Sequence, residues 1–215
     1  MRVLLACMCA VLGTSVASAA TSAISVVTTP GVLTDTTPVV VNDLFIDFEG
    51  ELGGQQLLVT LDTGTFYNQI AAFGGGDTAP LGVLTTTFPD TGLDTRVGLG
   101  ALTSDDLAYT PTSIFGGAVN LGGDAAAAFD PTVLNVTFAP AVGETVDGGI
   151  GYQIARLTLS SDANGIALAF SSTTDGSPAL QLAGTVVDGV VILIPEPATG
   201  LLAALAGVFG FARRV

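Results

Sequence analysis

Histidine, lysine and tryptophan are absent from this 215-residue sequence, and all five of its basic residues are arginine. Cysteine occurs only at Cys7 and Cys9, both inside an N-terminal stretch that reads as a removable leader. These gaps exclude much chemistry. Without His, Lys or a mature Cys there is no Ser-His-Asp or Cys-His nucleophile, no Schiff-base amine, no phosphate-loop lysine, and no zinc held by His or thiolate. A domain without disulfides must take its order from its core, and the length suffices for one. Positive charge is scarce, with 5 Lys+Arg against 19 Asp+Glu and a net charge of -14. Nucleic acid needs cations to neutralise its phosphates and is excluded as a partner. An acidic surface keeps an exported protein soluble and draws divalent cations.

The two ends have their own character. Residues 1–19 combine Arg2, an apolar run from Val3 to Leu12 and the sequence "SVASAA". This is the pattern of a secretory signal, with Ala17 and Ala19 forming an A-x-A cleavage site and the mature chain starting near Ala20. The run is too short for a membrane anchor and is followed by small polar residues. A lipobox ending at Cys7 ("LLAC") has too little apolar sequence before it. The other end reads "IPEPATGLLAALAGVFGFARRV", residues 194 to 215. Pro195 and Pro197 flank Glu196 and resist both helix and strand, leaving an extended, accessible peptide. The apolar segment 198–212 would rise about 22 Å as a helix, short for a lasting span and weakened by Gly200, Gly207 and Gly210. Arg213 and Arg214 would stay cytoplasmic.

In this order (Pro195-Glu196-Pro197, an apolar segment, then Arg213-Arg214) the tail resembles the PEP-CTERM sorting signal of Gram-negative bacteria. Ile194 stands where that family often has valine. The resemblance covers about the last tenth of the chain, together with the leader expected alongside it. It implies export by the Sec machinery, transient membrane insertion through a C-terminal transmembrane helix, and removal of the tail by an exosortase, a membrane transpeptidase-like protease. An unprocessed membrane helix is the alternative. The expected layout is a signal peptide over 1–19, a folded domain over 20–192 and a sorting signal over 193–215.

Between the ends, bursts of β-branched residues are separated by Gly, Pro, Asn and Asp, the punctuation of an all-β protein. Strands are expected at 23–28, 43–49, 56–61, 95–101, 132–138, 152–160, 165–171 and 179–187. In "TVLNVTF" Leu134, Val136 and Phe138 share one face. In "YQIARLTLS" Ala155, Leu157 and Leu159 point inward, Arg156 and Thr158 outward. In "GIALAFS" Ile166, Leu168 and Phe170 oppose alanines. Asp162-Ala163-Asn164-Gly165 reads as a hairpin turn. A short strand is expected near 84–88 and a turn of helix at 124–130. The fold class is all-β, an antiparallel β-sandwich of Ig-like, cohesin-like or jelly-roll-like kind, flanked by the signal helix and the C-terminal transmembrane helix.

Carboxylates are the remaining source of chemistry. "LLVTLDTGTF" runs an apolar strand into Asp62-Thr63-Gly64 and resembles the catalytic loop of aspartic proteases, with a second Asp-Thr-Gly at Asp90, Thr91 and Gly92. That mechanism needs two aspartates sharing a proton. The second copy follows Phe88-Pro89 instead of an apolar strand, and Asp-Thr-Gly also makes a good turn. Asp47, Glu49 and Glu51 alternate on one strand face and offer a glycosidase pair or simply a solvated side. Asp47, Glu49, Asp105, Asp106 and Asp162 are the candidate calcium ligands, though none has EF-hand or nonapeptide spacing. Tyr67 and Tyr109 are expected exposed near loops, and Tyr152 at the edge of the core. The preferred function is an exported, non-catalytic cell-surface or matrix protein with a structural or adhesive role in envelope, exopolysaccharide or biofilm. The alternatives are a calcium- or carbohydrate-binding module and an acid protease or glycosidase.

Overall fold

The computed structural model describes residues 21–68, 79–115, 130–175 and 179–194. Ala17, Ala19, Ala20, Pro195, Glu196, Pro197, Arg213, Arg214, the apolar segment 198–212 and most of the alanine-rich stretch at 124–130 lie outside the described residues. Among the described residues no helix is long and apolar enough to cross a membrane.

The elements are β1 (Thr21–Val32), β2 (Pro38–Thr63), α1 (Gly82–Thr87), α2 (Pro89–Gly92), β3 (Arg96–Val97), β4 (Thr112–Phe115), β5 (Val133–Pro140), β6 (Asp147–Ser160), β7 (Asn164–Thr173), β8 (Leu180–Val187) and β9 (Val190–Ile194). All strand pairings are antiparallel, and the sheet curls into a sandwich-like arrangement. Its spine is β2, a strand of 26 residues. The first half of β2 pairs with β1 and β6, the second half with β5 and β7. The sequence suggested two strands here. The chain instead bends without breaking at Gly50, where φ is +77, and through Gly53-Gly54, with register shifts against both β6 and β7. Glycine accepts this geometry without a Cβ penalty.

Alternation along most strands matches expectation. Leu44, Ile46 and Phe48 of β2 and Leu134, Val136 and Phe138 of β5 join one core cluster with Ala155, Leu157 and Leu159 of β6. On β7 the faces are the reverse of those expected if the larger residues lay inside: Ala167 and Ala169 are buried, and Ile166 is 60% exposed. At one end of this face Thr21 Oγ1 meets Ser171 Oγ at 2.9 Å, a close approach of β1 to β7 that small inward side chains allow. The turn at Asp162–Gly165 also differs from the expected hairpin. It joins β6 to β7, which pair with different halves of β2 and not with each other. β6 ends beside Val39 and β7 begins beside Thr63, so this arch gathers both ends of β2. A Cβ at Gly165 would run into the Thr60 carbonyl.

The expected strand near 84–88 is helical. Thr85 and Thr86 donate to the Gly82 carbonyl and Thr87 to that of Val83, so the hydroxyls bond back onto the turn and offset the β preference of threonine. Thr158, expected outward, is fully buried because Thr95 covers it, its hydroxyl accepting from the Thr158 N–H.

One polar side chain fastens the layers. Asn42 of β2 is 0% exposed. Its amide donates to the carbonyls of Gly189 (2.9 Å) and Leu157 (3.3 Å), and its Oδ1 accepts from the Val191 N–H (3.0 Å) and the Thr28 hydroxyl (2.9 Å). Gly189 and Asp188 both have positive φ, the two-residue turn that closes β8 onto β9. Replacing Asn42 with alanine leaves those buried backbone groups unpaired and opens a void. We expect Asn42→Ala to lose about 2–4 kcal/mol in urea unfolding. A loss well under about 1 kcal/mol would show that the amide is not a fastener.

Candidate functional site

The candidate calcium ligands are dispersed, and three of the five accept from backbone. Asp47 Oδ1 accepts from the Gly151 N–H (2.7 Å), Asp105 Oδ1 from Gly82 (2.7 Å) and Asp106 Oδ1 from Ala108 (2.9 Å). Glu49 and Asp162 point to solvent, and Glu51 accepts from Thr174. Among the described residues no group of three or more acids comes together as a metal site. Leu44, Ile46 and Phe48 form the core face of their strand, and Glu49 and Glu51 are exposed.

The two Asp-Thr-Gly copies do different things. Asp62 is exposed at the end of β2. Asp90 lies in α2 and accepts both the Thr34 N–H (2.8 Å) and hydroxyl (2.7 Å), which ties the β1–β2 turn to the helical segment. Among the described residues the two aspartates sit on separate elements and share no hydrogen bond. The second copy is a helix end, with Thr91 buried inside it.

That helix end is where the domain's two arginines meet. Arg96 and Arg156 are register partners on β3 and β6. Arg96 is 2% exposed and donates to the carbonyls of Thr91 (2.7 Å) and Gly92 (3.3 Å) at the C-terminus of α2. Arg156 forks onto Asp43 with two bonds of 2.7 Å and donates to the same Gly92 carbonyl. Burial, and then the neighbouring Arg156, pull the Arg96 guanidinium below its usual value, against the opposing pull of Asp94 and Asp43. It remains a cation at neutral pH. Sequence reasoning missed this cluster. The available signal was that these are the only two cations between residues 20 and 194.

The tyrosines are less exposed than expected. Tyr67 and Tyr109 are half-buried, while Tyr152 lies at the core edge as anticipated, edge-on to Phe48 at 5.7 Å with its hydroxyl on Thr110. Burial pushes the Tyr67 phenol up to about 12, with Asp90, Asp94 and Asp35 adding to the shift. One open hollow of about 250 Å³ lies between Thr34 and Phe88–Asp90, and another of about 310 Å³ runs between Ile24–Thr28 of β1 and Val190–Leu193 of β9. In the first, the Thr34 hydroxyl donates to Asp90 at 2.7 Å, the bond that ties the turn to α2, and the lining of the second holds no titratable side chain.

Two outcomes follow. Arg156→Ala removes a fork and a helix-end bond from a pair whose side chains are 20% and 16% exposed, and should lower stability by about 1–3 kcal/mol in chemical denaturation. An unchanged midpoint would mean that the pair is ornamental. In alkaline titration followed by tyrosinate absorbance, Tyr67 should ionise near 12, well above the ordinary phenol. The raised native value favours the protonated fold, so this contribution is whole below about 10 and is lost as pH climbs towards 12. Tyr67→Phe should flatten that fall in stability; an unaltered slope would refute it.

Compared with known proteins, the chain matches no family model and no curated protein.

Proposed function

We propose that this chain is an exported, non-catalytic protein of the cell surface or extracellular matrix, delivered by the Sec machinery and released from a transient membrane stop by an exosortase. The observation that carries the reading is the ordered tail, Pro195-Glu196-Pro197, an apolar segment and Arg213-Arg214, paired with a leader ending at Ala17-Ser18-Ala19. The role is structural or adhesive, with exopolysaccharide or biofilm as the setting. The finer fold assignment, an Ig-like, cohesin-like or jelly-roll-like sandwich, belongs to the same proposal and is supported by the two layers that β2 joins.

The geometry of the strand ends supports this reading. Thr21, at the start of β1, contacts Ser171, which pairs with Leu180 on β8. Ile194, at the end of β9, pairs with Ala183 on the same strand. The two strand ends therefore leave the sandwich on the same side, offset by about 10 Å along β8. A domain arranged this way can finish folding while both flanking segments are still held at one membrane surface. The carboxylates add a second support, since Asp47, Asp90, Asp105 and Asp130 accept from backbone N–H groups and Asp43 pairs with Arg156.

The test is intact mass and terminal peptide mapping of native protein from surface and extracellular fractions. The expected product starts near Ala20 and ends near Pro195. A chain that keeps Arg213 and Arg214, or one confined to the cytoplasm, would overturn the sorting route.

A further inference from the structure

The two outer faces of the sandwich are finished differently. Over the half formed by β1, the first part of β2, β6 and β3, the chain lays its own cover. Val39 and Val41 are buried although they lie outside the main core cluster, Leu93 reaches over Gly31, and both arginines hold α2 in place. The other half, built from the second part of β2 with β4, β5, β7, β8 and β9, has no such cover among the described residues. Leu58, Leu168, Ala183 and Ile194 form one row across four strands, and Ile166 and Ile192 stand in the next. Ile166 is 60% exposed, Ile194 53% and Ile192 47%. A hollow of about 340 Å³ lies between Leu58, Ile166, Leu168 and Ala183.

Charge marks this face more sharply than hydrophobicity does. The strand segments 52–61, 112–115, 133–140, 164–173, 180–187 and 190–194 contain no Asp, Glu, Lys or Arg, in a chain of net charge -14. Acids return only at the strand ends, Asp62 and Asp188 at one and Glu51 and Asp175 at the other. The arrangement is an apolar centre with a polar rim.

We propose that this bare face is where a second copy of the chain docks, sheet against sheet. Two copies of so acidic a protein repel over most of their surface, and the uncharged sheet is the place where they meet without that cost. Six paired segments of 4 to 10 residues, about 4.8 Å apart, cover roughly 700 Å² in projection, of the order of the ~800 Å² per partner that a stable interface buries. Sheet faces stack at about 10 Å through interdigitated aliphatic side chains, and a patch related to itself by a two-fold axis is self-complementary. Other occupants fit less well. An anionic lipid or acidic polymer finds no cation here, because Arg96 and Arg156 lie on the opposite half and already hold carbonyls and Asp43. A neutral sugar finds only phenylalanine here, Phe115 on β4 and Phe170 on β7, which lack the polar handle of tyrosine or tryptophan; Tyr67, Tyr109 and Tyr152 lie elsewhere. The inference holds whatever route the chain takes through the cell.

The cysteine-free domain gives a direct test. In the full chain carrying Cys7→Ser and Cys9→Ser, either Ile166→Cys or, as control, Leu107→Cys is introduced; Leu107 is fully exposed on a turn bonded to the covered half. A short bis-maleimide should give a covalent homodimer from the Ile166→Cys chain in yield at least about tenfold above the control. Adding Ile192→Asp should reduce that yield on the order of tenfold while the chain still unfolds cooperatively, its midpoint falling no further than that of the parent chain diluted to monomer. Added NaCl should raise the yield by screening the acidic rims. Equal yields at the two positions would overturn the proposal. So would insensitivity to Ile192→Asp, a crosslink to a different protein, or an intrachain crosslink when a second cysteine is placed at Leu202, which would make the chain's own tail the occupant.

Discussion

The fold depends on a single strand visiting both layers, and on the buried amide that holds it there. β2 supplies the centre of each half of the sheet, so its bend at Gly50–Gly54 decides where every other strand can pair. Bending alone leaves the far ends of the layers free to splay. Asn42 closes them by bonding at once to β6, to the turn between β8 and β9, and to β9 itself. A carboxamide suits the position because it offers donors and acceptors together and carries no charge into the interior. Leucine of similar volume would fill the space but leave the backbone groups without partners.

Strand existence was legible in the sequence because it rests on local alternation. β5 reads directly from Leu134, Val136 and Phe138, and the inner side of β6 from Ala155, Leu157 and Leu159. What alternation does not encode is distance between layers. β7 carries its larger residues outward on a strand where Thr21 and Ser171 touch across the interior, and nothing within "GIALAFS" announces that contact. The same holds for Asp162–Gly165: the turn chemistry is local, but whether it closes a hairpin or an arch is set by β2, a hundred residues upstream. The helix at 82–87 escaped notice because three threonines read as strand until their hydroxyls find carbonyls one turn back.

The candidate site followed the same division. Absent residue types excluded whole mechanisms at once, a statement that needs no coordinates. Paired carboxylates could be listed from the sequence, but pairing is a matter of space. Asp62 ends a strand and Asp90 staples a turn to a helix. The two arginines would have repaid closer reading. In a domain with so few cations, each must serve where a cation is structurally useful, and here they close the C-terminal carbonyls of a short helix and neutralise Asp43.

The acids themselves have a constructive part in the fold. Asp35 and Asp130 accept backbone and hydroxyl hydrogen bonds from residues two positions ahead, and those bonds hold both carboxyls below the usual range. Asp106 does the same for Ala108, and Asp105 and Asp47 reach across to Gly82 and Gly151. In each case a carboxylate organises backbone N–H groups that no helix or ladder satisfies. For Asp35 and Asp130 the folded value is lowered, so their contribution is complete above the ordinary aspartate range and fades as pH falls below it. A net charge of -14 then has a reason besides solubility. The strands of the bare half are free of charge, and the acids are spent at turns and rims, where each meets a donor or solvent. The surface left uncharged by that placement is a sheet face with an apolar centre that an acidic protein can present to its own kind.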